Sequence, residues 1–137
     1  MKEPLWITES AILAVHEELL ARFGGLSGLR DEGLLHSALN RPRNRFAYAQ
    51  STLFELAAEY ALGIVKNHPF LDGNKRAGFM ASYIFLGVNG VEFHAPEEEV
   101  VVFTRALAAG EIGGPEYASW LKASSRIPMG KNCLPRE

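Results

Sequence analysis

Apolar residues recur at spacings of three and four through most of the chain, and polar interruptions cut that pattern into segments of helical length. Thr8 stands before the first segment, where Ile12, Val15, Leu19 and Phe23 share one face and Gly24 and Gly25 mark the end, the pattern of a capped amphipathic helix. A second, shorter helix is expected from about Asp31 to Leu39, because Pro42 has no N–H to donate and its ring obstructs the preceding turn. Beyond it, in RPRNRFAYAQ, Phe46 and Tyr48 alternate with small or polar neighbours, the period of a short strand or hairpin arm.

Thr52 and Glu55 have capping-box spacing, and Leu53, Leu56, Ala57, Tyr60, Ala61 and Ile64 then keep a helical stripe as far as Asn67. From Asn74 to about Leu86 the chain is apolar on nearly every side. Ala77, Gly78, Ala81 and Ser82 are small enough there for neighbouring helices to come close, so this is the expected central helix. After the turn at VNG, Pro96 and the acids Glu97, Glu98 and Glu99 open a helix reaching about Ala109, the acids sitting on its positive end. Pro115 opens a last helix with Tyr117, Trp120 and Leu121. SSRIPMGKNCLPRE has two prolines and little periodicity. The expectation is one domain over residues 1–125 and a flexible tail over 126–137, without internal repeats.

Composition narrows the class. With 137 residues, 47% hydrophobic and 22% charged, the chain is sufficient for one domain with a real core. A net charge of −2 gives no reason to expect a direct nucleic-acid or membrane partner. Cys133 is the single cysteine, which excludes a disulfide framework and a cysteine zinc site. MKEPLWITES carries acids and a proline where a signal peptide needs an apolar run, and no stretch has the length of a membrane span, so a cytoplasmic address is expected.

The stretch HPFLDGNKRAGF, from His68 to Phe79, breaks the pattern. Asn67 terminates the helix before it, and Pro69 should push His68 toward an extended conformation, presenting the imidazole on a constrained loop. Phe70 and Leu71 are apolar, and at least one must anchor the loop. Lys75 and Arg76 fall in the first turn of the next helix, where the dipole and the free N–H groups are already positive; each such charge costs roughly 0.3 to 1 kcal/mol. The arrangement makes sense with a multiply charged anion over the helix start. Gly73 clears space for it and Asn74 adds an amide. Asp72 tolerates a phosphate when a divalent cation, most commonly Mg²⁺, stands between them, and a histidine can accept a proton from an attacking hydroxyl. Base, metal ligand and anion cradle together point to phosphoryl or nucleotidyl transfer. The rival signatures GxxxxGK[ST], GxGxxG, HRD and DFG are absent.

HPFLDGNKR closely resembles the motif of the Fic/Doc family, HxFx(D/E)GN followed by a variable residue and Arg, and the helix order fits the family up to about Ser125. The resemblance implies an all-α, Fic-type bundle of about six helices with a small β flap, and places that flap at RNRFAYAQ. It makes His68 the general base, Asp72 the Mg²⁺ ligand, Phe70 a core anchor, and Gly73, Asn74, Lys75 and Arg76 the nucleotide phosphate binders, with ATP and Mg²⁺ as cofactors.

Two positions separate the chain from the family's adenylylating branch, which has glycine where Lys75 stands and a second arginine where Phe79 stands. Lysine at the first is the pattern of the Doc branch. That branch implies a type II toxin, a protein kinase that moves the ATP γ-phosphate to a hydroxyl of elongation factor Tu and stops translation, restrained in trans by a Phd-like antitoxin. A bulky cation at position 75 would crowd an α-phosphate and favour another nucleotide pose. The family's inhibitory-helix pattern, [S/T]xxxE[G/N], is missed by one residue in SGLRDEG, so restraint within the chain is not expected.

AMP transfer to a protein hydroxyl stays open as the rival enzyme reading, and a silent binding or regulatory module as the rival of another class. Arg41, Arg43 and Arg45 read as a solvated basic loop, with docking of an acidic partner as the alternative. His16, His36 and His94 lack second ligands at metal spacing and are assigned no chemistry; nor are Arg30 and Asp31, beyond pairing with each other or capping a helix.

Overall fold

The computed structural model describes residues 2–127. Six helices follow in order: α1 (Glu9–Phe23), α2 (Glu32–Tyr48), α3 (Leu53–Asn67), α4 (Asn74–Val88), α5 (Glu97–Ala109) and α6 (Gly114–Ala123). A two-residue strand β1 (Glu92–Phe93) pairs antiparallel with β2 (Ser125–Arg126), Glu92 opposite Arg126. The architecture is the all-α bundle with a small sheet that the sequence predicts. Its start signals also act as expected. Thr8 accepts from Ala11 N–H at 3.1 Å, and Thr52 and Glu55 close a reciprocal capping box.

Four expectations are corrected. The central helix is α3, not α4: α3 packs against α2, α4, α5 and α6 and is buried at Leu56, Ala57, Ala58, Tyr60, Ala61, Gly63, Ile64 and Val65, whereas α4 leaves Tyr83 and Val88 exposed. Next, α2 does not stop at Asn40 but runs through Pro42 to Tyr48, so the segment expected as a strand or flap is helical up to Tyr48. A proline removes one helical hydrogen bond, and here tertiary contacts outweigh that loss. Pro42 is fully buried, Phe46 packs edge-on to Trp6 at 5.7 Å, and Arg41 and Arg45 reach Glu59 on α3 at 2.9 and 3.4 Å.

The basic residues are therefore no solvated loop. Arg45 also meets Glu55 at 3.6 Å, and the Arg43 guanidinium lies over the Trp6 ring at 5.4 Å. Finally, the chain does not fray at residue 126: Arg126 lies in β2 and donates to Glu92 at 3.1 Å. The rest of the expected tail from residue 128, Cys133 included, lies outside the described residues. No helix among the described residues is long and apolar enough to cross a membrane.

Candidate active site

The loop from His68 to Gly73 joins the end of α3 to the start of α4. His68 closes α3 with φ 56° and ψ 53°, a left-handed conformation rather than the extended one that Pro69 favours, and its N–H donates to Ile64 O at 3.0 Å. Phe70 is fully buried and is the anchor; Leu71 stays half exposed at 47%. Gly73 precedes α4 with φ 76°, a conformation glycine adopts without strain, and no side chain caps this helix. Among the described residues, the N–H groups of Asn74, Lys75 and Arg76 have no protein acceptor, so the helix start is open to an anion.

Asn74 is buried, and its side chain is already engaged. Its Oδ1 accepts from Phe70 N–H and its Nδ2 donates to Phe70 O, both at 3.0 Å. Those two bonds orient the amide, and Nδ2 faces His68 Nδ1 at 3.2 Å. Asn74 thus steadies the loop with its side chain and has only its backbone N–H left for a phosphate. His68 Nδ1 is an acceptor in this arrangement, which puts the proton of the neutral ring on Nε2.

The Asp72 carboxylate is exposed. Oδ1 accepts from Gly73 N–H at 2.9 Å and Oδ2 from Leu26 N–H at 3.2 Å, leaving each oxygen further lone pairs for a cation. These bonds fix its aim, and the donor is the hard anionic oxygen Mg²⁺ prefers, so the residue fits the metal role the motif implies.

His68, Asp72, Gly73, Asn74, Lys75 and Arg76 share one cleft of about 700 Å³. Its walls are the faces of two helices. Arg76, Phe79, Met80 and Tyr83 come from α4, and Glu97, Val100, Val101, Thr104 and Arg105 from α5, both at spacings of three and four. Leu19 and Phe23 of α1 complete the end nearest the His68–Gly73 loop, where the Arg76 guanidinium sits 4.2 Å from the Phe23 ring centroid. Among the described residues neither Lys75, Arg76 nor Arg105 is in an ion pair, so the cleft carries unneutralised positive charge. Phe79 packs against Phe93 at 5.5 Å and Trp120 at 6.3 Å, so the position of the missing second arginine is a wall of the aromatic core.

The residues that sequence reasoning missed are on α1 and on the α1–α2 connection. His16, assigned no chemistry, is buried, stacks on Phe70 at 3.8 Å and donates from Nε2 to Asp72 O at 2.8 Å. Arg30 donates to His68 O at 2.7 Å and Asn67 O at 2.8 Å, and Leu71 N–H reaches Gly28 O at 3.1 Å. Asp31 does cap α2, through Leu34 N–H. The signal available was the glycine-rich stretch itself: Gly25 takes φ 123°, a conformation that favours glycine, and a Cβ there would stand 2.9 Å from Asp72 Oδ2. His36 ties α2 to Glu9 of α1 at 2.8 Å, and His94 stands exposed on the cleft wall.

A helical bundle that presents a histidine, a carboxylate and an open, cationic helix start on one cleft has the equipment of a phosphoryl- or nucleotidyl-transferring enzyme. Residues 6–86 match the family model described as Fic/DOC family, and the chain belongs to that family, in its Doc branch. It is similar to a protein named "Protein kinase doc" from Escherichia phage P1, 35% identical over 118 residues that cover 85% of this chain and 92% of that one. It is also 39% identical over 75 residues to "Toxin Doc" of Mycolicibacterium smegmatis, covering 53% and 58% of the two chains.

Proposed function

We propose that this chain is a Doc-type toxin acting as a protein kinase: it transfers the γ-phosphate of ATP to a hydroxyl of a partner protein, elongation factor Tu being the target the family suggests. The observation that carries the reading is the convergence of His68, Asp72 and the open start of α4, with Lys75 and Arg76, on one wall of a nucleotide-sized cleft.

The N–H groups at the start of α4 and the side chains of Lys75 and Arg76 bind the polyphosphate, and Lys75 holds it in the pose that exposes the terminal phosphate. Asp72 would hold the Mg²⁺, which would supply charge neutralisation and Lewis-acid polarisation at the phosphates. His68 takes the proton of the attacking hydroxyl as that oxygen forms its bond to phosphorus and ADP departs. To accept at Nε2 the imidazole must carry its own proton on Nδ1, which gives up the 3.2 Å contact with Asn74 Nδ2. The charge and the exposed apolar residues at the cleft, Phe23, Tyr83 and Val101, suit a restraining partner in trans, an antitoxin of the Phd kind.

Incubation with elongation factor Tu and ATP labelled at the α- or the γ-phosphate tests the reading. Label should pass to the protein from the γ position and require His68; retention of α-label would make the enzyme an AMP transferase instead. Expression of the wild type should halt growth of a bacterial host that tolerates His68→Ala.

A further inference from the structure

We propose that Arg30 is the positioning residue of His68, the group that keeps its backbone in the left-handed conformation from which the imidazole faces the cleft. The inference rests on the reading of His68 as the base. His68 is the one non-glycine residue with positive φ among the described residues, and it is followed by a proline, so two independent steric preferences oppose its conformation. A helix end tolerates such a residue, yet the proline after it favours the extended form, so contacts from outside the loop help to hold it.

Arg30 is placed to do so. Nε donates to His68 O at 2.7 Å, the second guanidinium nitrogen to Asn67 O at 2.8 Å, and the backbone N–H to Pro69 O at 2.6 Å. One residue therefore grips three consecutive carbonyls. A cation on the last carbonyls of a helix also meets the negative end of its dipole, and among the described residues no carboxylate pairs with Arg30 to draw it away. The grip is anchored, because the next residue, Asp31, caps α2 and sends its own N–H to Pro69 O at 3.1 Å. The fork geometry matters: a lysine has a single donor centre and cannot span the two carbonyls as guanidinium does.

Released from Arg30, the loop can relax toward the extended form that Pro69 prefers, which turns the His68 ring away from Asn74 and from the start of α4. The phosphate-binding groups lie on α4 and are not part of this grip. Arg30→Ala should therefore lower kcat about a hundredfold, the loss expected when a reacting group is misplaced by about 1 Å, while KM for ATP stays within about threefold. Arg30→Lys should be nearly as impaired, and millimolar guanidinium should restore turnover to Arg30→Ala but not to His68→Ala. A kcat for Arg30→Ala within threefold of wild type, or a loss confined to KM, overturns the proposal.

Nuclear magnetic resonance of ¹⁵N-labelled protein decides the point independently of activity. Arg30→Ala should shift the His68 ring and backbone signals and the Asn74 side-chain amide while leaving α5 and α6 unchanged; unaltered His68 signals refute the proposal. A wild type that transfers no phosphate sinks the kinase reading, and the spectra then judge Arg30 alone. Should Arg30→Ala not fold, Arg30→Lys and Arg30→Gln carry both measurements.

Discussion

Asn74 folds back across the His68–Gly73 loop onto Phe70, pairing with both its N–H and its carbonyl at 3.0 Å while the Phe70 ring sits fully buried beneath His16. The pair makes the loop a closed ring of hydrogen bonds at the entry to α4, and the same amide aims at His68. Asn74→Ala would strand both Phe70 backbone groups without water. The expected cost is about 3 kcal/mol, read as a lower urea midpoint at unchanged slope. Asn74→Asp keeps the acceptor for the N–H but faces a carboxylate toward the Phe70 carbonyl, and should be destabilised to a similar degree.

The junction of α2 and α3 depends on Gly63. A Cβ there would stand 3.0 Å from Ala38 Cα, 3.1 Å from Ala38 O and 2.9 Å from Arg41 Cδ, and backbone atoms cannot step aside as a flexible side chain does. Gly63→Ala should destabilise the fold by about 1 to 3 kcal/mol, against the small gain alanine brings to an unhindered helix. A stability equal to or above the wild type in urea would contradict so tight an approach.

What the sequence made legible was local chemistry. Thr8, Thr52 with Glu55, and the glycines after Phe23 act within a few residues, and so does the loop from His68 to Arg76, whose residue types converge on one kind of ligand. What stayed hidden depends on distant partners. Arg30 acts 38 positions away on His68 and His16 acts 56 positions away on Asp72, and nothing in their neighbours marks that task. Pro42 misled for the same reason: its local rule against helix was overruled by burial and by Arg41 and Arg45 on Glu59, contacts a period of three or four cannot show. His68 reverses its pre-proline preference because Arg30, from another part of the chain, holds the carbonyls.

Two buried phenols make alkaline stability informative. Burial raises the pKa of Tyr60 and, further, that of Tyr117, whose hydroxyl is paired with Thr104 Oγ1 at 2.8 Å. In the unfolded chain both ionise near the reference value of about 10. Because the folded values lie higher, their contribution is complete below pH of about 10 and is lost as pH rises through that value toward the folded ones. Unfolding free energy from urea titrations should therefore fall progressively above pH of about 10. Tyr117→Phe should flatten that fall, while costing about 1 kcal/mol at neutral pH for the hydrogen bond to Thr104.

Asp72 offers the most direct check on the proposed metal. Its two oxygens are held by Leu26 and Gly73 N–H groups, and its carbonyl by His16, so the side chain is aimed before any ion arrives. Asp72→Asn is close in shape and keeps the carbonyl contact, but it removes the negative charge that a hard divalent cation requires. ATP binding measured by calorimetry should be stronger with Mg²⁺ than with EDTA in the wild type, and Asp72→Asn should bring the Mg²⁺ value down to the EDTA one. If the wild type binds ATP equally well with and without Mg²⁺, and Asp72→Asn matches it, then Asp72 serves the loop alone and the charge of the phosphates is met entirely by α4 and its cations.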